Sequence, residues 1–172
     1  LEGRVHYLTA TGDTAFWLNP YNGKEIILVS PFFSDKRAWF MLENTKYGFI
    51  DTNGHVVIEP IYDRVNPFHD GKAIVYREDR KVYVAIDTNG KELFEVSGDA
   101  PSSSMMLKPI IANNYCVLDN FICNEKGERI QRLPEVLSIS PFVDSVAMFQ
   151  NDKYVWRQID LNGKLIGNAQ YQ

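Results

Sequence analysis

The chain has 172 residues, 45% of them hydrophobic and 23% charged, enough to bury a real core and unlike a disordered segment. Lys and Arg number 18 against 22 Asp and Glu, a net charge of -4, which excludes a generic electrostatic hold on nucleic acid or on an anionic membrane. The longest aliphatic run, Ile26-Ile27-Leu28-Val29, falls far short of the roughly 20 residues of a membrane span.

Taken in chain order, the elements are short strands separated by turns. Val5–Thr9 reads as a strand, Thr11-Gly12-Asp13 as a turn, and Phe16 stands in the strand that follows. A turn at Tyr21-Asn22-Gly23 leads on to Pro31-Phe32 and to a strand at Ala38–Leu42. Tyr47–Asp51 and His55–Glu59 flank a turn at Asp51-Thr52-Asn53-Gly54, and Pro60 ends the second of them. Tyr62–Val65 is a further short strand, followed by Ala73–Tyr76, a polar turn at Arg77–Arg80, and Val82–Asp87. Asp87–Gly90 turns the chain into Lys91–Glu95; Ser97–Ser104 reads as an inserted loop. Asn124–Gly127, Val136–Ser140, Ala147–Phe149 and Asp160–Gly163 continue the pattern. β-Branched and aromatic residues dominate the strands, and no stretch keeps a helical period over three turns.

The pattern repeats. Turn glycines stand at 23, 54, 90, 127 and 163, at steps of 31, 36, 37 and 36. Seven residues before the glycine stand Phe16, Tyr47, Tyr83 and Trp156; four before it stand Ile50, Ile86, Cys123 and Ile159. The fourth unit has Asn120 in place of the aromatic; a residue that returns at the same place from unit to unit builds a shared core, so Phe16, Tyr47, Tyr83 and Trp156 are assigned there. The first unit is about five residues short, and the third is the most altered. The sequence therefore predicts one all-β domain over 1–172, a tandem array of ~36-residue β-hairpin repeats arranged like a propeller, with an open β-solenoid as the alternative. Units fall at about 1–43, 44–79, 80–117, 118–152 and 153–172. The last is incomplete, and residues 5–9 are placed to complete it.

The turns are predicted to be structural. Asp or Asn three residues before Gly fits a type I turn, with the Asx side chain capping backbone amides and glycine taking φ > 0 as a bulge. The residues concerned are Asp51 with Gly54, Asp87 with Gly90, Asn124 with Gly127 and Asp160 with Gly163. Lys126, where a two-residue hairpin turn would want Asn, favours this form.

The second unit resembles a known family. Tyr47-Gly48-Phe49-Ile50-Asp51, the Asn53-Gly54 turn, Val57-Ile58-Glu59-Pro60-Ile61-Tyr62-Asp63, then Pro67-Phe68 and Asp70-Gly71-Lys72-Ala73 look like the bacterial WG (KWG) repeat, with Tyr47 in place of the name-giving tryptophan. The other units match in part; Tyr83-Val84 and Trp156-Arg157 lack the glycine. The resemblance implies tandem β-repeats and a bacterial source, and it carries no catalytic residues to transfer.

No nucleophile elbow, zinc-protease, Walker or dinucleotide fingerprint occurs. The Asp51–Gly54 segment has the wrong spacing for a calcium loop. His6, His55 and His69 lie far in sequence from Cys116 and Cys123, so no metal or other cofactor is expected; the cysteines read as buried thiols, with a bridge across a hairpin as the alternative. The function expected is a non-enzymatic binding module, its partner another protein or a polysaccharide, with no nucleic acid and no membrane span. Trp17, Tyr21, Trp39 and Tyr154, the aromatics outside the repeat pattern, are the candidate binding surface. The alternative is a carbohydrate-binding or glycoside-processing domain with carboxylates in a central pocket. An extracytoplasmic setting, periplasm or cell surface, is favoured over the cytoplasm.

Overall fold

The computed structural model describes residues 5–96, 110–112, 115–118, 121–124, 126–133, 136–140 and 142–171. These residues form only strands and turns. A hairpin comes first, β1 (His6–Leu8) with β2 (Thr14–Trp17). Then follow, among the described residues, four open four-stranded sheets. Sheet one is β3 (Ile26–Val29), β4 (Ala38–Leu42), β5 (Tyr47–Ile50) and β6 (Val56–Tyr62). Sheet two is β7 (Arg64–Val65), β8 (Lys72–Arg77), β9 (Val82–Asp87) and β10 (Glu92–Val96). Sheet three is β11 (Ile110–Ala112), β12 (Tyr115–Leu118), β13 (Phe121–Cys123) and β14 (Arg129–Arg132). Sheet four is β15 (Val136–Ile139), β16 (Val146–Asn151), β17 (Trp156–Asp160) and β18 (Leu165–Tyr171). Each is an antiparallel meander in chain order, so both its first and its last strand are edges.

The core lies between successive sheets. In β8, Ala73 and Val75 face sheet one, packing with Phe49, Ile58 and Tyr62, while Ile74 and Tyr76 face sheet three, packing with Cys123. In β9, Val84 and Ile86 take the first face and Tyr83 and Ala85 the second. Successive side chains point to opposite faces of a strand. A strand covered on both faces therefore needs an unbroken apolar run, and Ala73-Ile-Val-Tyr76 and Val82-Tyr-Val-Ala-Ile86 supply it. The same logic packs sheet three on sheet four through Val117, Ile122, Phe149 and Ile159.

Sheets and sequence units are out of phase. Each sheet takes its last two strands from the unit after the one that supplies its first two. The segment 153–172 thus completes a sheet that β15 and β16 have already begun. This corrects the expectation that residues 5–9 complete the last unit: β1 pairs with β2, and β18 is the fourth strand of sheet four. The first unit departs further. The strand after Gly23, β3, pairs with β4 and so joins sheet one, leaving the hairpin without a fourth strand. The turn before it also differs. Tyr21 and Lys24 exchange both backbone hydrogen bonds at 2.9 and 3.0 Å, with Asn22 at φ 50° and Gly23 at φ 76°, a two-residue type I′ turn. The five missing residues account for both changes. The inserted loop predicted at Ser97–Ser104 lies outside the described residues.

Candidate interaction surface

Two rows of turns shape one end of the array. The first joins the third and fourth strands of each sheet. Gly54, Gly90, Gly127 and Gly163 lie at φ 84°, 83°, 78° and 73°. Asp51 Oδ1 accepts from the amides of Asn53 and His55, both at 2.9 Å. Asp87 does the same for Asn89 and Lys91, Asn124 for Lys126 and Glu128, and Asp160 for Asn162 and Lys164. Partial desolvation works against the Asp51 carboxylate, but the amides of His55 and Asn53 bring its pKa below the ordinary 3.8.

The glycines have a second reason to be glycine. A Cβ at Gly90 would meet the side chain of Ile58, one at Gly127 the carbonyl of Glu95 and the ring of Phe94, and one at Gly163 the side chain of Gln131. Ile58, Phe94 and Gln131 all stand four residues after the previous turn glycine. Each turn therefore nests on the outer strand of the sheet before it. At Gly54 that place is filled by Phe16, because the strand that should have filled it has moved into sheet one.

The second row joins first and second strands. Asp35 and Lys36, Asp70 and Gly71, and Asp144 and Ser145 all have positive φ, and Ser34–Arg37, His69–Lys72 and Val143–Val146 close the turns around them. These are type I′ turns, and Asp suits their first position. Neighbours are stitched together: Ser34 Oγ donates to the Phe68 carbonyl at 2.5 Å, the Gly71 amide to Asp35 Oδ2 at 2.8 Å, and Arg37 Nε to the Thr88 carbonyl at 2.7 Å.

The four candidate aromatics occupy different settings. Trp17 is exposed and lies against the ring of His6 at 4.4 Å between centroids. Tyr21 is half-buried; its hydroxyl donates to Glu59 at 2.7 Å, and this bond raises its pKa. Trp39 is half-buried at the sheet one–sheet two core, edge-on to Tyr47. Tyr154 is 71% exposed, at φ 61° in a turn where Asn151 Oδ1 accepts from Lys153 and Val155. Each has its own partners, His6 for Trp17, Glu59 for Tyr21 and Tyr47 for Trp39, while Tyr154 stands in a sheet-four turn. Carboxylates are held by local partners as well: Asp63 by Lys46 and the Glu78 amide, Asp79 by Arg77, and Glu92 and Glu95 by Arg80. Among the described residues no three His, Cys, Asp or Glu side chains gather as a metal site, and no helix is long and apolar enough to cross a membrane. The β12–β13 register sets Cys116 opposite Cys123, which is fully buried.

The sequence reading missed another row. Val57, Leu93, Ile130 and Ile166 each stand three residues after a turn glycine, on the last strand of successive sheets, and are 36%, 40%, 50% and 36% exposed. An aliphatic residue recurring at a fixed place is ordinarily core. Here the position lies on the outer edge strand, on the face opposite the one that nests the next turn, so the repeat makes a ladder of exposed apolar side chains. Counting aliphatics three after each glycine was the signal that could have found it.

The second unit carries one more local device. A Cβ at Gly48 would stand 2.6 Å from the Ile58 carbonyl and 2.9 Å from the Pro60 nitrogen, so β6, whose pairing with β5 shifts register here, bulges toward a position that has no room for a side chain. Tyr62, two residues beyond Pro60, is buried in the core that includes Phe49 and Phe68, and Asp63 next to it binds Lys46. Residues 47–80 match the family model of the WG containing repeat. The glycine and the proline of the matched unit thus meet at one bulge. No curated protein sequence matches the chain. Among solved structures, the chain is similar to the computationally designed Ika8 protein (TM-score 0.63, 11% identity, 91% of this chain and 52% of that one). It is likewise similar to BamB from Moraxella catarrhalis (TM-score 0.64, 16% identity, 96% and 55%). A third similar structure is the WD40 beta propeller domain of Doa1 (TM-score 0.52, 12% identity, 79% and 52%). At these identities the likeness is one of fold, and the array is propeller-like. The chain spans about half the length of each of these structures.

Proposed function

We propose that the chain is a non-enzymatic interaction module whose partner is a protein held along the outer edge of the array. The carrying observation is the row Val57, Leu93, Ile130 and Ile166, apolar, exposed and at one position in successive sheets. Such a row offers regularly spaced anchors on strands whose outer hydrogen-bonding groups face away from their own sheet, the setting in which an extended segment adds to an edge. The glycoside-processing alternative needs a facing pair of carboxylates, and the acids described above are instead committed to turns and to ion pairs. A photoreactive residue placed at Leu93 or Ile130 tests the reading in extracts of the source cells. The expected result is a protein adduct that disappears in a Leu93→Lys/Ile130→Lys chain. Binding to a glycan array that survives this double substitution would overturn it.

A further inference from the structure

Four Asn-Gly pairs stand in the chain: Asn22-Gly23, Asn53-Gly54, Asn89-Gly90 and Asn162-Gly163. This dipeptide is chemically labile, because a glycine nitrogen approaches the Cγ of the preceding asparagine with no side chain in its way. Reaction needs that nitrogen uncommitted and the local chain able to swing it onto Cγ. In three of the pairs the fold withholds both. The amides of Gly54, Gly90 and Gly163 donate to the carbonyls of Asp51, Asp87 and Asp160 at 3.0, 2.9 and 3.0 Å. The amides of Asn53, Asn89 and Asn162 donate to the side chains of the same aspartates. Each of these glycines is also half-buried against a neighbour, Phe16, Ile58 or Gln131 respectively.

At Asn22 neither restraint operates. The type I′ turn closes through the backbone bonds of Tyr21 and Lys24, and among the described residues the Gly23 amide has no backbone acceptor. Asn22 and Gly23 are both exposed, and nothing lies within 4 Å of where a Gly23 Cβ would stand. We propose that Asn22-Gly23 is a site of spontaneous deamidation in the folded protein, open where the other Asn-Gly turns are held shut. The Gly23 nitrogen, having lost its proton to solvent base, bonds to Asn22 Cγ; the Cγ–Nδ2 bond breaks and ammonia leaves, giving a cyclic imide. Water then opens the imide at either carbonyl, to aspartate or to isoaspartate, and nothing is oxidised or reduced. The product matters to the fold nearby. The Tyr21 hydroxyl is held by Glu59 of β6, and Asn22 acts on the same hydroxyl in the opposite sense. A carboxylate at position 22 therefore repels Glu59, and isoaspartate lengthens the main chain inside the turn. This inference does not rest on the proposed edge row.

Peptide mass spectrometry of the 172-residue chain, aged in mildly alkaline buffer with and without urea, tests it. In the folded protein Asn22 should convert faster than Asn53, Asn89 and Asn162 by about tenfold or more, the scale of one backbone hydrogen bond and a nested contact. In urea the four should convert at similar rates, because the protection lies in the fold. Conversion of any of the other three as fast as Asn22 in the folded protein would overturn the proposal. So would an Asn22 that keeps its amide in the fold while the unfolded chain deamidates. A preference for Asn22 that persists undiminished in urea would overturn it too, since it would belong to the flanking residues.

Discussion

A Cβ built on Gly127 would stand 2.4 Å from the carbonyl oxygen of Glu95, whereas one built on Gly23 meets nothing within 4 Å, although the two glycines have nearly the same φ, 78° and 76°. The pair separates two costs that usually travel together. A left-handed conformation alone charges an L-residue about 1–2 kcal/mol, and overlap with fixed backbone adds about 1–3 kcal/mol. Gly23→Ala should therefore cost about 1 kcal/mol and Gly127→Ala at least ~3 kcal/mol, read as the difference in urea midpoint at constant slope. Equal losses would show that nesting between sheets contributes nothing.

Gly48 makes the complementary case. It needs no left-handed backbone, yet a Cβ there would meet the Ile58 carbonyl at 2.6 Å and the Phe40 ring at 2.9 Å. Gly48→Ala should lower stability by roughly 2–3 kcal/mol through overpacking. Val84, at the matching place in sheet two, lies in a sheet without the Pro60 bulge, so Val84→Ala should show an ordinary small cavity cost of about 1–3 kcal/mol and no disruption of pairing.

The turn caps predict a pH dependence with a definite sign. The pKa of Asp51 is held below the ordinary 3.8 in the fold. Its contribution is therefore complete above that value and is lost as pH falls through the lower, folded-state pKa. Asp51→Asn keeps an oxygen for the amides of Asn53 and His55 and should be nearly neutral at pH 7, with less acid destabilisation than the parent. Asp51→Ala should cost about 1 kcal/mol at pH 7, by analogy with the loss of a side-chain cap, and less in acid, where the parent loses the carboxylate's contribution as well. Melting curves from pH 7 to 2.5 check both.

Tyr7 predicts the alkaline limb. Burial pushes its hydroxyl up to about 12, and the hydroxyl donates to the Ser30 carbonyl at 2.5 Å. A group whose pKa is raised in the folded state contributes stability that is full below the unfolded value of 10.0 and that declines as pH rises through the folded one. Tyr7→Phe should be less stable than the parent at pH 7 and lose less stability between pH 9 and 11.

Tyr154 sits at φ 61° where the other Asx turns have glycine, and its ring is 71% exposed. Tyr154→Gly should thus stabilise by up to ~1 kcal/mol, the relief of a left-handed L-residue less the added freedom of the unfolded chain. A fall in melting temperature would mean the ring holds more than its exposure suggests.

How much of this was legible depended on whether the cause was local. Asp51, Gly54 and their counterparts form hydrogen bonds within five residues, so sequence spacing alone carries the turn. Tyr47 and Tyr83 recur because they face the next sheet, so periodicity marks them. The sheet boundaries were not legible, since a repeat can be cut at any phase and only pairing decides which strands share a sheet. The capture of Ile26–Val29 by sheet one follows from a missing stretch of chain. Trp39 and Tyr21 fell outside the pattern and read as surface, but register brings Trp39 to Tyr47 and the Glu59 carboxylate holds Tyr21. The exposed row at Val57, Leu93, Ile130 and Ile166 looks apolar enough for a core, and only an edge position reverses that reading.

Those outer strands differ in one respect that bears on the fate of the protein in storage. An unpaired strand edge is a template for fibril growth unless something interrupts it. β6 carries Pro60, which removes a donor from the edge; β10 carries Glu92 and Glu95, and β14 carries Arg129 and Arg132. β18 reads Leu-Ile-Gly-Asn-Ala-Gln-Tyr, with neither a charge nor a proline. Of the four it alone lacks a gatekeeper, so conversion to cross-β material should begin at Leu165–Tyr171, and a single lysine there should delay it.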